Sequence, residues 1–582
     1  LTYLTERATS GRRPLTLVEI DVDTCANDYG VLPCEAVLPA AGLQCYNTFS
    51  SCQDKSNYAK TVKTLRFCED IAGLPVDFNA IPSIPVGGVK LDATIIDPAK
   101  TLGIRAKTTV TFKDHPYGDS VTDPYVITRT YDPLENGTFW GKFIARNPNY
   151  EGRQLRVTIG YLDDNNVFNT QFNRVFVIDK INGPDSNGKV NIVAKDILKL
   201  AENKNSKLPV ASAGKLTSVL AAGATSLSVT AGEGDSYAAA GVIRVNKELM
   251  NYTRAGDIFT VTRGEFGTLD VEQSVNASVQ ECIAYNDVNV IEIVRDLLLR
   301  IDIDPVYIPF TDWEQERDDW LLLNEYTRVI SKPTGVSQLL NELCEQSLIS
   351  IWWDERVKQI KLKSMSPPLD ISTIPTINQS DNFIINSLKL ERLTQDRITQ
   401  IWLYNELIDQ VADNKKQESY QQVNVSIDLD AESSDFFNDK RERIVFGTWL
   451  TNVSNALKID IAQKTINKFK LSPIKAKFSL DAKDADIWTG DIVFIETDTI
   501  QTVSGQPSTL IMLVTKAQET IAGTLINYEA STAFDYAVNY GFWSEDDVPD
   551  YLIATAAERL KNAFYSDNNG LLPDGSPGYT YI

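Results

Sequence analysis

Five of the chain's seven cysteines fall between Cys25 and Cys68, in the pattern Cys25-x8-Cys34-x10-Cys45-x6-Cys52-x15-Cys68. The residues between them are small, polar and broken by Gly30, Pro33, Pro39 and Gly42, and cannot build a core of their own. Such a stretch folds only if something ties it together, and a bound metal can supply folding free energy outright. Cys282 and Cys344 stand apart, one in a strand-like pattern and one in a helix-like pattern.

The compartment narrows the choice of tie. No apolar window is long enough to cross a bilayer, and Leu1–Leu15 lacks the apolar core of a secretory signal. The expected place of folding is therefore a reducing cytosol, where clustered cysteines hold metal more often than they form disulfides. Four thiolates arriving from loops suit a tetrahedral zinc site or a cubane iron–sulfur cluster. C-x2–4-C knuckles, the usual mark of structural zinc, are absent, and the wide gaps favour a bulkier group. Disulfides are the alternative, with one of the five thiols left over. They would belong to a secreted modular adhesin.

The rest of the chain reads as mainly β with an α+β part. PLTLVEIDVD at 14–23 alternates apolar and acidic residues and leads into Cys25, so residues 1–84 read as one strand plus a cysteine-rich module. Residues 85–210 read as a first β domain. Its expected strands are VKLDATII, AKTTVTFKD, YVITRTYD, GTFWGKFIAR, QLRVTIGYL and RVFVIDKI, with a short helix over 193–202. Residues 211–286 read as an inserted small β module of hairpins, and 287–366 as helices followed by a hairpin. Residues 367–537 read as a second β domain with a helix over about 448–469, and 538–582 as an acidic C-terminal segment. The expected architecture is two β-barrel-like domains around an α+β unit.

Charge and side-chain inventory exclude much of the usual chemistry. With 56 basic and 78 acidic residues the net charge is −22, which argues against a protein that binds nucleic acid by neutralising phosphate. The only histidine, His115, ends a strand between Asp114 and Pro116 and reads as a turn residue. Asp114, Asp119 and Asp123 could gather a hard cation such as calcium, although their spacing matches no EF-hand. No Walker loop, G-x-S-x-G elbow or dinucleotide fingerprint is present. Paired acids such as Asp318–Asp319 and Asp546–Asp547 read as solvated faces in an acidic chain. The expectation is a protein without catalytic residues. The competing readings are an iron–sulfur redox enzyme and a tail-associated cell-wall hydrolase.

CYNTFSSCQDKSNYAKTVKTLRFC, preceded by the Cys-x8-Cys pair, resembles the cysteine-bearing domain of tail-tip proteins of phages with long non-contractile tails, lambda's among them, and of gene transfer agent hub proteins. VTFKDHPYGDSVTDPY and GTFWGKFIARNPNYEGRQLRV are similar to the first β domain of such hubs. RVNKELMNYTRAGDIFTVTRGEFGTLD is similar to a small β module of tail-tip proteins, and DADIWTGDIVFIETDTIQTVSGQP to their last β domain. The resemblance implies a [4Fe–4S] cluster on Cys25, Cys34, Cys45 and Cys52, with Cys68 as a substitute candidate expected to pack beside the site. It implies a structural virion protein at the tail tip, assembled in the host cytoplasm. That protein would be a homotrimeric baseplate hub that closes the tail tube and adapts sixfold tube to threefold tip. Distal tube proteins, the tape measure protein and a central tip fibre or receptor-binding protein are its implied partners. Genomic DNA would pass through its channel without specific binding, and the acidic balance would suit such a wall.

Overall fold

The first sheet is assembled around β1, Arg13–Cys25. Val18, Ile20 and Val22 face the core, and Glu19, Asp21 and Asp23 alternate with them onto the other face, the period-two signature of a strand. Cations on neighbouring strands neutralise the acids. Arg66 and Arg156 meet Glu19 at 2.8 and 3.1 Å, Arg156 meets Asp21 at 2.6 Å, and Arg153 and Lys60 meet Asp23. In this computed structural model the described residues are 3–37, 45–69, 79–92, 95–97, 100–104, 106–202, 206–364, 373–433, 440–470, 472–502 and 504–532. The acidic segment 538–582 lies outside them, as do Pro39 and Gly42.

β1 pairs antiparallel with β2, Lys60–Glu69, on one side and with Gln154–Leu162 on the other. The eight-stranded order is Ile81–Ile84, β2, β1, Gln154–Leu162, Phe168–Asn182, Lys189–Lys195, Lys107–Lys113, Val89–Asp92. The expected boundary at 84/85 therefore cuts through a single sheet. Residues 26–37 and 45–59 leave it between β1 and β2. A strand's own pattern announces the strand but not its partners, which is why the sequence reading set this segment apart.

GTFWGKFIAR is a helix, α1 (Phe139–Arg146), where a strand was expected. Phe139, Trp140 and Phe143 share one helical face, and Asp114 accepts from the Trp140 N–H at 2.8 Å at its start. These rings pack with Phe67 and Phe112 under the sheet. YVITRTYD likewise holds a short 3-10 turn, Val126–Thr128.

The small module, with its own core of Leu216, Leu227, Ile243, Met250 and Phe259, rests on hairpins between residues 226 and 289. The next core centres on helices Val290–Leu299 and Val336–Ser347 and on the hairpin Ile349–Asp354/Gln359–Ser364. It also takes in Ile401 and Leu403, Val445, and the helix Asn455–Phe469. Part of the expected second β domain thus belongs to the α+β core. That helix starts at the Ser454 cap, later than expected, because Trp449 and Leu450 are buried in the preceding loop. The last sheet runs Thr376–Asn378, Ile492–Gln501, Pro507–Ile521, Leu525–Ser531, Ile474–Asp481, Lys389–Arg392. The molecule is mainly β and multidomain, and no helix among the described residues is long and apolar enough to cross a membrane.

Candidate metal centre

The hairpin loop brings Cys25, Cys34, Cys45 and Cys52 into one neighbourhood. Cys25 ends β1 opposite Lys60, and its N–H reaches the Asn47 carbonyl at 3.0 Å, which draws the Cys45 turn to the end of the strand. Cys34 follows a turn in which its N–H bonds the Val31 carbonyl at 2.9 Å. Cys52 follows the 3-10 turn Phe49–Ser51. All four are half-buried. Burial pushes the Cys45 thiol up, and Cys52, Cys25 and Cys34 push it further, while burial together with Cys25 and Cys34 does the same to Cys52. The four thiols thus share one neighbourhood.

Two of them accept a backbone N–H. The Asn47 N–H points at Cys45 Sγ at 3.3 Å, and the Asp54 backbone N–H bonds the Cys52 thiol. Each donor stands two residues after its cysteine and favours the negative sulfur. Asp54 also accepts from the Glu35 N–H at 2.8 Å, tying the turn after Cys52 to the residue after Cys34. Among the described residues no three His, Cys, Asp or Glu side chains converge tightly enough for a single metal ion. The donor set, four sulfurs without imidazole or carboxylate, is the kind that holds an iron–sulfur group. A buried donor at the site fits it as well: the Tyr58 hydroxyl has no hydrogen-bond partner.

A clamp joins this loop to the first sheet. The Tyr46 ring lies between two guanidiniums, Arg129 at 4.3 Å and Arg146 at 4.2 Å, and its hydroxyl is 2.9 Å from that of Tyr131. Arg129 also donates to the Cys45 carbonyl at 2.6 Å and to both oxygens of buried Asp123, at 2.7 and 2.8 Å. Arg146, on α1, pairs with buried Asp119 at 2.8 Å, which Lys142 meets at 3.0 Å. On the far side the Tyr29 N–H donates to the Tyr125 hydroxyl at 2.8 Å.

The clamp accounts for the acids at 114–123, where the sequence already disfavoured calcium. Asp119 and Asp123 spend their oxygens on Lys142, Arg146 and Arg129, and Asp114 spends its own on the start of α1. His115 stacks on Phe139 with ring centroids 6.0 Å apart and planes 3° apart, a packing role. Cys68 is not beside the site. On β2, eight residues beyond Lys60, it faces Leu17 of β1, which at strand rise is roughly 26 Å from the Cys25 end. It is buried, as Cys282 and Cys344 are, and burial pushes Cys282 up to about 12. The sequence reading found the cysteines and missed Tyr46, Tyr58, Arg129 and Arg146. The tyrosines interleaved with the cysteines were the visible signal, and the arginines had none.

No family model matches the chain, and no curated protein matches it. Among solved structures it is similar to the 43 kDa tail protein of prophage MuSo2 from Shewanella oneidensis, with 10% identity over 76% of this chain and 94% of that one and a TM-score of 0.36. It is similar to the tail protein from Neisseria meningitidis MC58, with 10% identity over 77% and 95% and a TM-score of 0.37. A chain of the native gene transfer agent virion matches at 11% identity over 59% and 86%, with a TM-score of 0.30. These superpositions are loose, and the function proposed below rests on the chain's own residues.

Proposed function

We propose that this protein is a structural hub of a phage-type tail tip in which Cys25, Cys34, Cys45 and Cys52 hold a [4Fe–4S] cluster. The observation that carries the reading is the gathering of those four half-buried thiols, two already accepting N–H···S hydrogen bonds, on a loop clamped to a β scaffold. The resemblance of the same cysteine stretch to tail-tip proteins supplies the setting. When bound, the group adds four iron–sulfur bonds and a one-electron couple. The chain's own residues do the rest. Asn47 and Asp54 orient two sulfurs, Asp54 joins the turns that carry Cys34 and Cys52, and Tyr46 fixes the loop to α1.

The hub is a homotrimer that closes the tail tube, meets tube and tape measure proteins above and a tip fibre below, and lines part of the DNA path. The charge of −22 supports that last role, since an acidic wall repels phosphate and lets DNA slide past. Particle mass and iron content measured on one anaerobic sample test both halves. Three chains per particle, four irons per chain and absorbance at about 400 nm are expected. A monomer at working concentration would refute the hub, and a colourless iron-free sample would refute the cluster.

A further inference from the structure

Tyr58 is placed by the fold with unusual definition and given nothing to bond. It follows the 3-10 turn Lys55–Asn57 and precedes Ala59, whose carbonyl accepts from the Ala26 N–H at 2.7 Å. The side chain therefore starts beside the Cys25 end of β1. Its ring meets Phe49 edge-on, with centroids 5.2 Å apart, and Phe49 opens the turn that delivers Cys52. The hydroxyl is sealed from water and has no hydrogen-bond partner. Leaving a buried hydroxyl unsatisfied is destabilising, and phenylalanine would fill the same space without that cost. Burial raises the phenol to about 12, and Cys25, Asp23 and Cys52 are the charges that add to it. The unspent donor thus belongs to a ring set between the Cys25 end of β1 and the turn that delivers Cys52.

We propose that the Tyr58 hydroxyl donates a hydrogen bond to the sulfur-bound group held by Cys25 and Cys52, and so sets its reduction potential. This rests on the iron–sulfur reading above. One-electron reduction adds a negative charge to the site and makes or breaks no bond. A hydroxyl donor favours the more negative form, so removing it favours the oxidised one. Tyr58 is a positioning residue here, acting through the ligand sulfurs, and its ring with Phe49 keeps water from that side.

The test compares full-length wild type and Tyr58→Phe, both purified anaerobically and titrated with dithionite while absorbance is followed. Equal iron per chain is expected, with the equilibrium constant for reduction about tenfold lower in the variant, a midpoint about 59 mV more negative. Metal-free Tyr58→Phe should melt at the same temperature as metal-free wild type or higher, because the hydroxyl has no partner in the fold itself. Loss of iron from the variant with an unchanged metal-free melt also supports the contact. Coincident midpoints at equal iron content overturn the proposal, and so does a lower metal-free melting temperature, which would make Tyr58 a fold residue. A wild type that takes up no iron refutes the cluster instead and is recognised before the variant is made.

Discussion

Tyr46 shows how much of this site is held by single side chains. Its ring has a guanidinium on each face, one from Arg129 and one from α1, and both cations are fixed by buried carboxylates. A cation–π contact is worth about 0.5–1 kcal/mol at an exposed site and about 2 when desolvated. Tyr46→Ala is therefore expected to lower stability by about 2–4 kcal/mol and to speed the loss of iron to a chelator, read by thermal melting and by bleaching of the cluster absorbance. An unchanged melt would show that the loop is anchored elsewhere. The cysteines could be read from the sequence because their spacing is a local property. The clamp could not, because Arg129 and Arg146 reach Tyr46 from a distant part of the chain and look like ordinary surface cations until the hairpin and α1 are placed.

At the scale of elements, β1 was legible as a strand and illegible as a neighbour. Its alternation of Val18, Ile20 and Val22 with Glu19, Asp21 and Asp23 fixes its two faces, but the arginines that pair with those acids sit on two other strands. α1 was misread for a related reason. Aromatics are common in strands, and the i, i+1, i+4 spacing of Phe139, Trp140 and Phe143 covers too short a run to outweigh that preference. The register of β1 on β2 gives a clean discrimination among cysteines. Cys52→Ser is expected to abolish stoichiometric iron binding. Cys68→Ser should keep the wild-type iron content while losing about 1–2 kcal/mol of stability, since it puts a more polar hydroxyl at a fully buried position. Iron analysis and denaturant melts of the two variants, side by side, decide it. Iron loss in Cys68→Ser at full folding would contradict the register.

Across the whole molecule, three sheets meet at one buried charge. Arg174, in Phe168–Asn182, pairs with Glu519 of Pro507–Ile521 and lies 4.0 Å from Glu355, at the turn of the 349–364 hairpin. Its guanidinium and that of Arg356 lie 5.3 and 4.5 Å from the Trp488 ring centroid. Burial raises the Glu355 carboxyl to about 7, with Arg174 opposing and Asp354 adding to the rise. A carboxyl whose folded value lies above its ordinary 4.5 binds more protons folded than unfolded across that interval. Stability from this group is therefore full below pH 4.5 and falls as pH rises towards 7. Glu355→Gln is expected to remove that slope, leaving the variant more stable than wild type at pH 8 by up to about 3 kcal/mol, read from melts across pH. Parallel pH profiles for the two proteins would count against it. Nothing in the sequence marks this joint, because its members come from three elements whose meeting depends on every intervening fold. The β-rich outline was legible from local patterns, whereas the split of residues 367–537 between two cores was not.

The β1–β2 hairpin has a last consequence, for how such a chain can change. Because Cys25 faces Lys60, the sheet holds the ends of loop 26–59 together whatever the loop contains. Closing a flexible loop costs only about 0.6 kcal/mol more for each doubling of its length. Residues can therefore be gained or lost between the cysteines, and their intervals redrawn around a different bound group, while the strands keep the same pairing. The ligand-bearing part is free to diverge at a pace of its own, and the register beneath it need not follow.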